Sequence, residues 1–403
     1  MVKHWHTIRL GDACVTNASS YSPKEVWTFV NYLDTGNITE NRIDSIQHID
    51  LAKEELPSRA KRKVKKNSII YSTVRPNQRH YGIIKTIPQN FLVSTGFAVI
   101  DADSQLLDAD FLYYVLTQAT VVDKLHAIAA QSTSAYPSLR PSDIENLEID
   151  IPTLDEQRAI ASILRCIDEK TQLNAQINRN LEQQAQAIFK SWFVDFEPFR
   201  DSRFVDSELG PIPEGWRVGT LKDITQITMG QSPSGESYND IGDGCVFFQG
   251  RAEFGNRFPT RRLFTTSPKR MAQVGDVLLS VRAPVGDLNL AYENCCIGRG
   301  LAALHSNNGC QAYLTFQMDM LRPQFELFNA QGTVFGCINK DALHSMKIIL
   351  PPQHLQYIFE GLVSPMEKHI RDSYTETCNL QVTRDTLLPK LMSGEIDVSE
   401  VEV

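Results

Sequence analysis

The sequence lacks the marks of several large protein classes. Its eight cysteines form no C-x-x-C pair and show no metal-ligand spacing, which excludes a zinc site or a disulfide scaffold of the usual kind. No run of about 18 apolar residues occurs, and the first ten residues include Lys3, His4, His6 and Arg9, which excludes a transmembrane helix and a secretory signal. We therefore expect a reduced, cytoplasmic protein that binds no metal and contacts no membrane.

The common catalytic motifs are also missing. The chain has no G-x-x-x-x-G-K-[ST] loop for ATP and no G-x-S-x-G nucleophile turn. It has no glycine-rich cofactor loop followed by an Asn/Asp-Pro-Pro-aromatic tetrad, which argues against adenine methylation by this chain. In 403 residues this absence favours recognition over catalysis, with no catalytic residue and no cofactor in the chain itself.

The sequence does contain an internal repeat. The segment 147–152 (LEIDIP) resembles 346–351 (MKIILP) at an offset of 199 residues, and the same offset places Gln157 on Gln356. Further matches occur upstream in the same order, with small insertions between them. These pair Trp5 with Trp216, 68–72 (SIIYS) with 276–280 (DVLLS), 94–98 (STGFA) with 298–302 (GRGLA), and 130–133 (AQST) with 330–333 (AQGT). Two copies of one plan account for nearly the whole chain.

Each copy opens with a mixed α/β part. Short β-branched and aromatic runs bounded by proline and glycine predict strands, and longer runs with a period near 3.6 predict helices. In copy one the strands are expected at 67–74, 82–87 and 91–100 and a helix at 111–129. In copy two the strands are expected at 246–249, 276–282 and 300–305, with a helix over 312–327 that breaks before Pro323.

Each copy closes with a long helical segment. Residues 154–192 contain no proline or glycine and carry one apolar stripe, which predicts a rod too long for one small domain to cover. Its counterpart at 353–391 is the expected partner, although two helices each docked on its own domain is an alternative. Pro365 and Pro389 predict that this second helix is segmented. Residues 395–403 are expected to form a solvated tail. The residues expected to pair the helices or to bind a partner are Ile160, Ile163, Ile167, Leu181, Ile188, Trp192, Leu362, Met366, Leu380, Leu387 and Leu391.

The formal charge of −8 hides two basic stretches at corresponding places of the copies. Residues 56–85 hold nine basic residues and no acid, and residues 251–299 hold eight basic residues against four acids. Because they also contain polar side chains that can reach base edges, we expect nucleic acid as the partner. The residues predicted to contact DNA are Lys61, Arg62, Lys63, Ser72, Thr73, Arg75, Arg79, Tyr136, Gln231, Arg251, Arg257, Arg282, Arg299 and Thr333.

Three motifs in order resemble one known family. Residues 191–199 (SWFVDFEPF) and 209–216 (LGPIPEGW) are similar to the middle of type I restriction–modification specificity (S) subunits. Residues 387–395 (LLPKLMSGE) look like the C-terminal end of the same family, and Ile151-Pro152 followed by Glu156-Gln157 looks like the usual start of its central helix.

The resemblance implies a function that composition alone does not. Two target-recognition domains would each read one half of a bipartite, asymmetric site in double-stranded DNA. Two long antiparallel helices would form a coiled-coil-like spacer between them and dock two modification subunits. Those subunits would carry S-adenosylmethionine, and restriction subunits using ATP and Mg²⁺ would complete a type I restriction endonuclease and adenine-N6 methyltransferase complex.

The expected fold class is thus α+β. The expected parts are recognition domain 1 (1–150), a central helical region (151–197), a connector (198–215), recognition domain 2 (216–350), and a C-terminal helical region with an acidic tail (351–403). Two alternatives remain at this point. One is a pseudo-symmetric, non-catalytic scaffold that assembles proteins only. The other is a self-contained methyltransferase or nuclease of unusual motif, which methyl transfer by the chain alone would reveal.

Overall fold

The computed structural model describes residues 5–22, 24–132, 136–330 and 336–399. The chain divides into two compact units. Unit 1 comprises Met1–Gln172 and Thr377–Val403, and unit 2 comprises Leu173–Glu376. The fold is α+β, as predicted.

Nine α-helices lie in the described part of the chain, and two of them are much longer than the rest. Helices α4 and α9 have 40 residues each, a length of about 60 Å at 1.5 Å per residue. Each begins in one unit and ends in the other. The helices are α1 (Ala109–Thr117), α2 (Ala119–Ala130), α3 (Pro141–Glu145), α4 (Leu154–Phe193), α5 (Leu221–Ile224), α6 (Gln311–Met320), α7 (Arg322–Ala330), α8 (Lys340–His344) and α9 (Gln353–Met392).

The strands of unit 1 form two four-stranded sheets and two small pairs. The sheet orders are β6-β3-β10-β7 and β2-β11-β8-β9, and the pairs are β1-β12 and β4-β5. The strands are β1 (His6–Arg9), β2 (Cys14–Thr16), β3 (Phe29–Leu33), β4 (Ile38–Thr39), β5 (Arg42–Ile43), β6 (Gln47–Asp50), β7 (Ala60–Arg62), β8 (Ile69–Ser72), β9 (Tyr81–Ile83), β10 (Phe91–Ser94), β11 (Phe97–Ala102) and β12 (Glu148–Ile151).

Unit 2 has a similar architecture, with one additional strand in its first sheet. Its sheet orders are β17-β19-β18-β23-β20 and β16-β24-β21-β22, with the pairs β13-β14 and β15-β25. The strands are β13 (Phe204–Val205), β14 (Ile212–Pro213), β15 (Arg217–Thr220), β16 (Thr225–Met229), β17 (Tyr238–Asn239), β18 (Cys245–Phe248), β19 (Phe264–Thr265), β20 (Met271–Ala272), β21 (Val277–Ser280), β22 (Leu288–Leu290), β23 (Cys295–Ile297), β24 (Leu301–Ser306) and β25 (Lys347–Leu350).

The repeat extends to strand direction. In unit 1 β10 runs parallel to β3 and antiparallel to β7. In unit 2 β23 runs parallel to β18 and antiparallel to β20. The first strand of each copy pairs antiparallel with the last, β1 with β12 and β15 with β25. The prediction of a duplicated chain is therefore confirmed.

The two long helices pack against each other within each unit, and they run antiparallel. In unit 1 the buried residues Ile160, Leu164 and Leu391 share one core. In unit 2 the shared core contains Phe189 of α4 and Phe359 of α9, whose ring centroids are 5.6 Å apart. The helices are therefore partners, and the alternative of two separately docked helices is wrong.

Most of the residues predicted to pair the helices lie at these interfaces. Ile160 and Leu391 are buried, and Ile163, Leu181, Ile188, Trp192, Met366 and Leu387 are partly buried against the two cores. Ile167 and Leu380 are half-buried outside both cores. Leu362 is 47% exposed, so it does not pair the helices, because the core side of α9 is formed by Phe359, Val363 and Ile370 instead.

Helix α9 is continuous, so the prediction that prolines would segment it is wrong. Pro365 and Pro389 are both exposed, and so are the residues four positions before them, Gly361 and Asp385. A proline leaves the carbonyl of that earlier residue without its helical donor. On an exposed face water can bond to such a carbonyl, and the helix continues.

Two further expectations differ from the structure. The helix predicted at 111–129 is two helices, since α1 ends at Thr117 and α2 begins at Ala119. The end of the chain is not simply solvated: Val398 is 2% exposed, and Ile396 packs against the same core. An apolar side chain that reaches the core is held there by burial, so residues 395–399 complete unit 1.

Candidate nucleic-acid interface

The loop between β8 and β9 holds several of the residues predicted to contact DNA. It turns at Pro76–Gln78, and the residues on either side, Arg75 and Arg79, have φ angles of 48° and 57°. Non-glycine residues rarely adopt this left-handed conformation, and the surrounding structure must hold them there. The Arg75 N–H donates to the carbonyl of Pro137 at 3.0 Å, and the Thr73 N–H donates to that of Gly96 at 2.8 Å. The loop is thus fixed from two sides.

Arg75 lies exposed at this turn, with its guanidinium 4.9 Å from the ring centre of Tyr136, which is 59% exposed. Within the described ranges no carboxylate pairs with Arg75. A planar cation held on an exposed aromatic ring can bond to a base edge or to a phosphate, and the ring can stack on a base.

Many of the basic residues in 56–85 are paired with acids from other parts of unit 1. Lys63 pairs with Glu25 and lies 5.3 Å from the ring centre of Trp27. Arg79 pairs with Glu40 at 2.6 Å. Lys65 pairs with Asp101, and Lys85 with Asp110. The nine positive charges of the stretch are therefore partly neutralised, and exposed Lys61 has no such partner among the described residues.

Unit 2 brings Gln231, Gln249 and Arg299 together where three backbone segments cross. The Gln231 N–H donates to the carbonyl of Ile297 at 2.9 Å, and the Arg299 N–H to Ser232 Oγ at 3.4 Å. A Cβ added at Gly298 would lie 2.8 Å from the Gln249 carbonyl oxygen, so only glycine permits this crossing.

The loop between β21 and β22 lies beside this crossing and matches the β8–β9 loop of unit 1. The Val281 N–H donates to the carbonyl of Gly300 at 2.9 Å, which corresponds to the bond from Thr73 to Gly96 in unit 1. The Ala283 N–H donates to the carbonyl of Gly336 at 2.9 Å, which corresponds to the bond from Arg75 to Pro137. Arg282 is exposed on this loop and has no acidic partner in the described part of the chain. Arg251 pairs with Asp287 of the same loop at 2.5 Å.

Two of the predicted DNA contacts are wrong, and one lies outside the described residues. Ser72 is 2% exposed, and its hydroxyl donates to the carbonyl of Val74, so DNA cannot reach it. The Arg257 side chain is 16% exposed and pairs with Glu182 and Glu367, so its charge is already satisfied inside unit 2. Thr333 is the residue outside the described ranges.

Sequence reasoning missed a shared arginine. Pro57-Ser58-Arg59 and Pro268-Lys269-Arg270 match at an offset of 211 residues, the offset that also relates Trp5 to Trp216. Arg59 and Arg270 are both exposed. The Arg59 carbonyl accepts from the Thr95 N–H at 2.8 Å, and the Arg270 carbonyl accepts from the Ile297 N–H at 2.9 Å. When the two copies are aligned, these two donors are two positions apart. The common P-x-R pattern was the available signal.

The arrangement suits binding of a polyanion rather than chemistry. Each unit presents a rigid loop, an exposed arginine and polar side chains, which are the groups that contact phosphates and base edges. Among the residues described, no three His, Cys, Asp or Glu side chains are grouped to hold a metal ion. None of the described helices is long and apolar enough to cross a membrane.

Comparison with known proteins agrees with this geometry. The family of the type I restriction modification DNA specificity domain matches residues 2–183 and 213–362. A Methanocaldococcus jannaschii protein assigned as the MjaX specificity subunit of a type I restriction enzyme is 30% identical over 90% of this chain and 86% of its own length. The HindI specificity subunit of Haemophilus influenzae is 25% identical over 97% of this chain and 99% of its own.

A solved structure shows the same fold. The S subunit of a type I restriction–modification system from M. genitalium superposes with a TM-score of 0.64 at 17% identity, covering 97% of this chain and 96% of that one. With one repeated DNA specificity domain in each half and relatives matched over most of their length, the chain belongs to the specificity subunits of type I restriction–modification systems, the non-catalytic subunits that recognise DNA.

Proposed function

We propose that unit 1 and unit 2 each read one half of a bipartite, asymmetric site in double-stranded DNA. The observation that carries the proposal is the pair of matching loops, β8–β9 and β21–β22, which have the same backbone hydrogen bonds but different side chains. Arg75 of unit 1 aligns with Ala283 of unit 2, and Val74 aligns with Arg282. Because the two loops share a backbone conformation but carry different side chains, each unit would read a different half-site.

In unit 1 the proposed contacts are Lys61, Arg62, Thr73, Arg75 and Tyr136, with Arg59 added from the structure. In unit 2 they are Gln231, Arg282 and Arg299, with Arg270 added. Lys63, Arg79 and Arg251 are also proposed contacts. Each is paired with a carboxylate but keeps part of its side chain exposed, and that exposed part would contact the DNA. Phosphate contacts fix the register on the duplex, and base contacts supply the sequence.

The helices α4 and α9 set the number of unread base pairs between the half-sites, and they dock two modification subunits. An exposed apolar patch on α9 supports the docking: Tyr357, Ile358 and Leu362 are 51%, 50% and 47% exposed. Patches of this kind mark protein interfaces. In this proposal S-adenosylmethionine belongs to the modification subunits, ATP and Mg²⁺ belong to the restriction subunits, and the complex works in the cytoplasm.

Mapping of N6-methyladenine in cells with and without this gene tests the proposal. The expected result is one bipartite motif with a fixed spacer that disappears with the gene. If no methylation motif disappears with the gene, the chain is better described as a scaffold that assembles proteins only. The same holds if the complex with all its partner subunits does not bind DNA.

Variants at the two arginines separate the half-sites. Arg282→Ala should cost about 1–3 kcal/mol in binding and relax one position of one half-site, and Arg75→Ala should do the same in the other half. Arg282→Lys keeps the charge but loses the bidentate geometry, so it should resemble the alanine variant if Arg282 reads a base. An unchanged methylation motif and affinity in Arg282→Ala would overturn this assignment.

A further inference from the structure

Unit 2 contains a partly buried ionic network that joins its mixed α/β domain (216–350) to both long helices. Arg257 lies in the segment between β18 and β19. Its guanidinium donates through Nη1 to Glu182 of α4 at 2.9 Å and through Nη2 to Glu367 of α9. The Arg257 side chain is only 16% exposed, and those of Glu182 and Glu367 are 28% and 19% exposed. One side chain thus connects three elements of unit 2.

Unit 1 has a comparable network at the matching acid. Asp168 of α4 accepts a hydrogen bond from the hydroxyl of Tyr114, in α1, at 2.9 Å. It also pairs with Arg384 of α9 at 3.4 Å. Asp168 and Glu367 lie 199 residues apart, which is the offset of the repeat. Both copies therefore hold an acid at this helix position. Asp168 bonds both α1 and the partner helix, whereas Glu367 bonds Arg257, which in turn bonds Glu182 of the partner helix.

The unit 2 network is poorly suited to stabilising the fold. Two of its atoms, Arg257 Nε and Glu367 Oε1, are buried and have no hydrogen-bond partner among the described residues, and such atoms oppose folding. Burying charges is also costly, so apolar residues of similar volume often give a more stable protein. What charged, directional bonds add over apolar contacts is a defined geometry.

We propose that Arg257 in unit 2, and Tyr114 with Asp168 in unit 1, are positioning residues that fix the angle at which each mixed domain sits on the helix pair. This rests on the proposed function, since the angle would decide which spacer length lets both loops reach their half-sites. The residues contact no base, so their loss changes the accepted spacer and leaves each half-site sequence as it was.

The test replaces the whole unit 2 network with neutral residues of similar volume. In the triple variant R257M, E182Q and E367Q no charge of the network is left unpaired, so the protein should fold. Complexes with the modification subunits are given S-adenosylmethionine and duplexes whose spacers differ by one base pair. We expect discrimination between the correct spacer and its neighbours to fall about ten-fold, with both half-sites unchanged.

Controls separate this role from a structural one. Lys347 pairs with Glu208 on the surface of unit 2, so Lys347→Met removes one ion-paired cation and should keep the wild-type spacer preference. Tyr114→Phe and Arg257→Lys each remove only part of a network. If the triple variant does not fold, spacer discrimination is measured with these two variants instead. Wild-type spacer discrimination in folded network variants would overturn the proposal. If the wild-type complex itself reads no bipartite site, the proposed function fails instead.

Discussion

Gln157 and Gln356 show why one residue type recurs at the same place in both copies. Gln157 is 1% exposed; its amide donates to the carbonyls of Pro152 and Leu106, and its oxygen accepts from the Asp108 N–H at 2.8 Å. Gln356 is 4% exposed, donates to the carbonyl of Pro351 and accepts from Asn308. A buried glutamine can satisfy several neighbours at once. In each copy it ties the start of a long helix to the mixed domain.

Replacing Gln157 by leucine should destabilise unit 1. The change keeps the volume but leaves the buried Pro152 carbonyl, the part-buried Leu106 carbonyl and the part-buried Asp108 N–H without this partner, at a cost of about 2–4 kcal/mol. Urea denaturation measures it. Gln172→Leu, at an exposed position of the same helix, is the control and should change stability by less than about 0.5 kcal/mol. Equal midpoints for the two variants would contradict this role for Gln157.

The sequence does not show which individual arginines face DNA and which form ion pairs inside the protein. Arg257 lies in a basic stretch and was predicted to contact DNA, yet its partners Glu182 and Glu367 are 75 and 110 residues away along the chain. Only the fold brings these groups together. Arg75 and Arg282 could be identified because each lies at the end of a predicted strand, one or two residues before a proline, where a loop exposes its side chains.

Among the secondary-structure elements, periodicity predicts the two long helices and strands at 246–249, 276–282 and 300–305. The structure has strands there, at Cys245–Phe248, Val277–Ser280 and Leu301–Ser306. It predicted less well which apolar residues form the core side. On α9 the pattern predicts Leu362 on the core side, but Leu362 is 47% exposed and its neighbour Val363 is buried, with 0% exposed. Neighbouring apolar residues can both fit a broad stripe, and contact with the mixed domain decides between them.

Two leucines on α9 provide a matched pair. Leu391 is 1% exposed in the core of unit 1, whereas Leu380 is half-buried outside both cores. Leu391→Ala should therefore cost about 2–5 kcal/mol, and Leu380→Ala well under half of that. The midpoints of urea denaturation compare them directly. A larger loss for Leu380→Ala would mean that the helix packs on a different face.

For the molecule as a whole, the repeat is the most informative property of the sequence. It predicted two units of one architecture, and both have matching sheets, loops and buried glutamines. It does not give the DNA sequence read. Base recognition depends on loop geometry and on DNA shape as well as on side-chain type, and the two loops differ in the side chains that would make the contacts.

We propose that helix length and the two loops together select the DNA site. Four residues inserted after Gln172 of α4, with four after Glu376 of α9, fall at the boundaries of the compact units and leave the contacts inside each unit intact. They add about 6 Å of helix, against about 3.4 Å per base pair. N6-methyladenine mapping of the assembled complex should show both half-sites unchanged and a spacer longer by one or two base pairs. An active complex that keeps the original spacer would show that helix length does not set it.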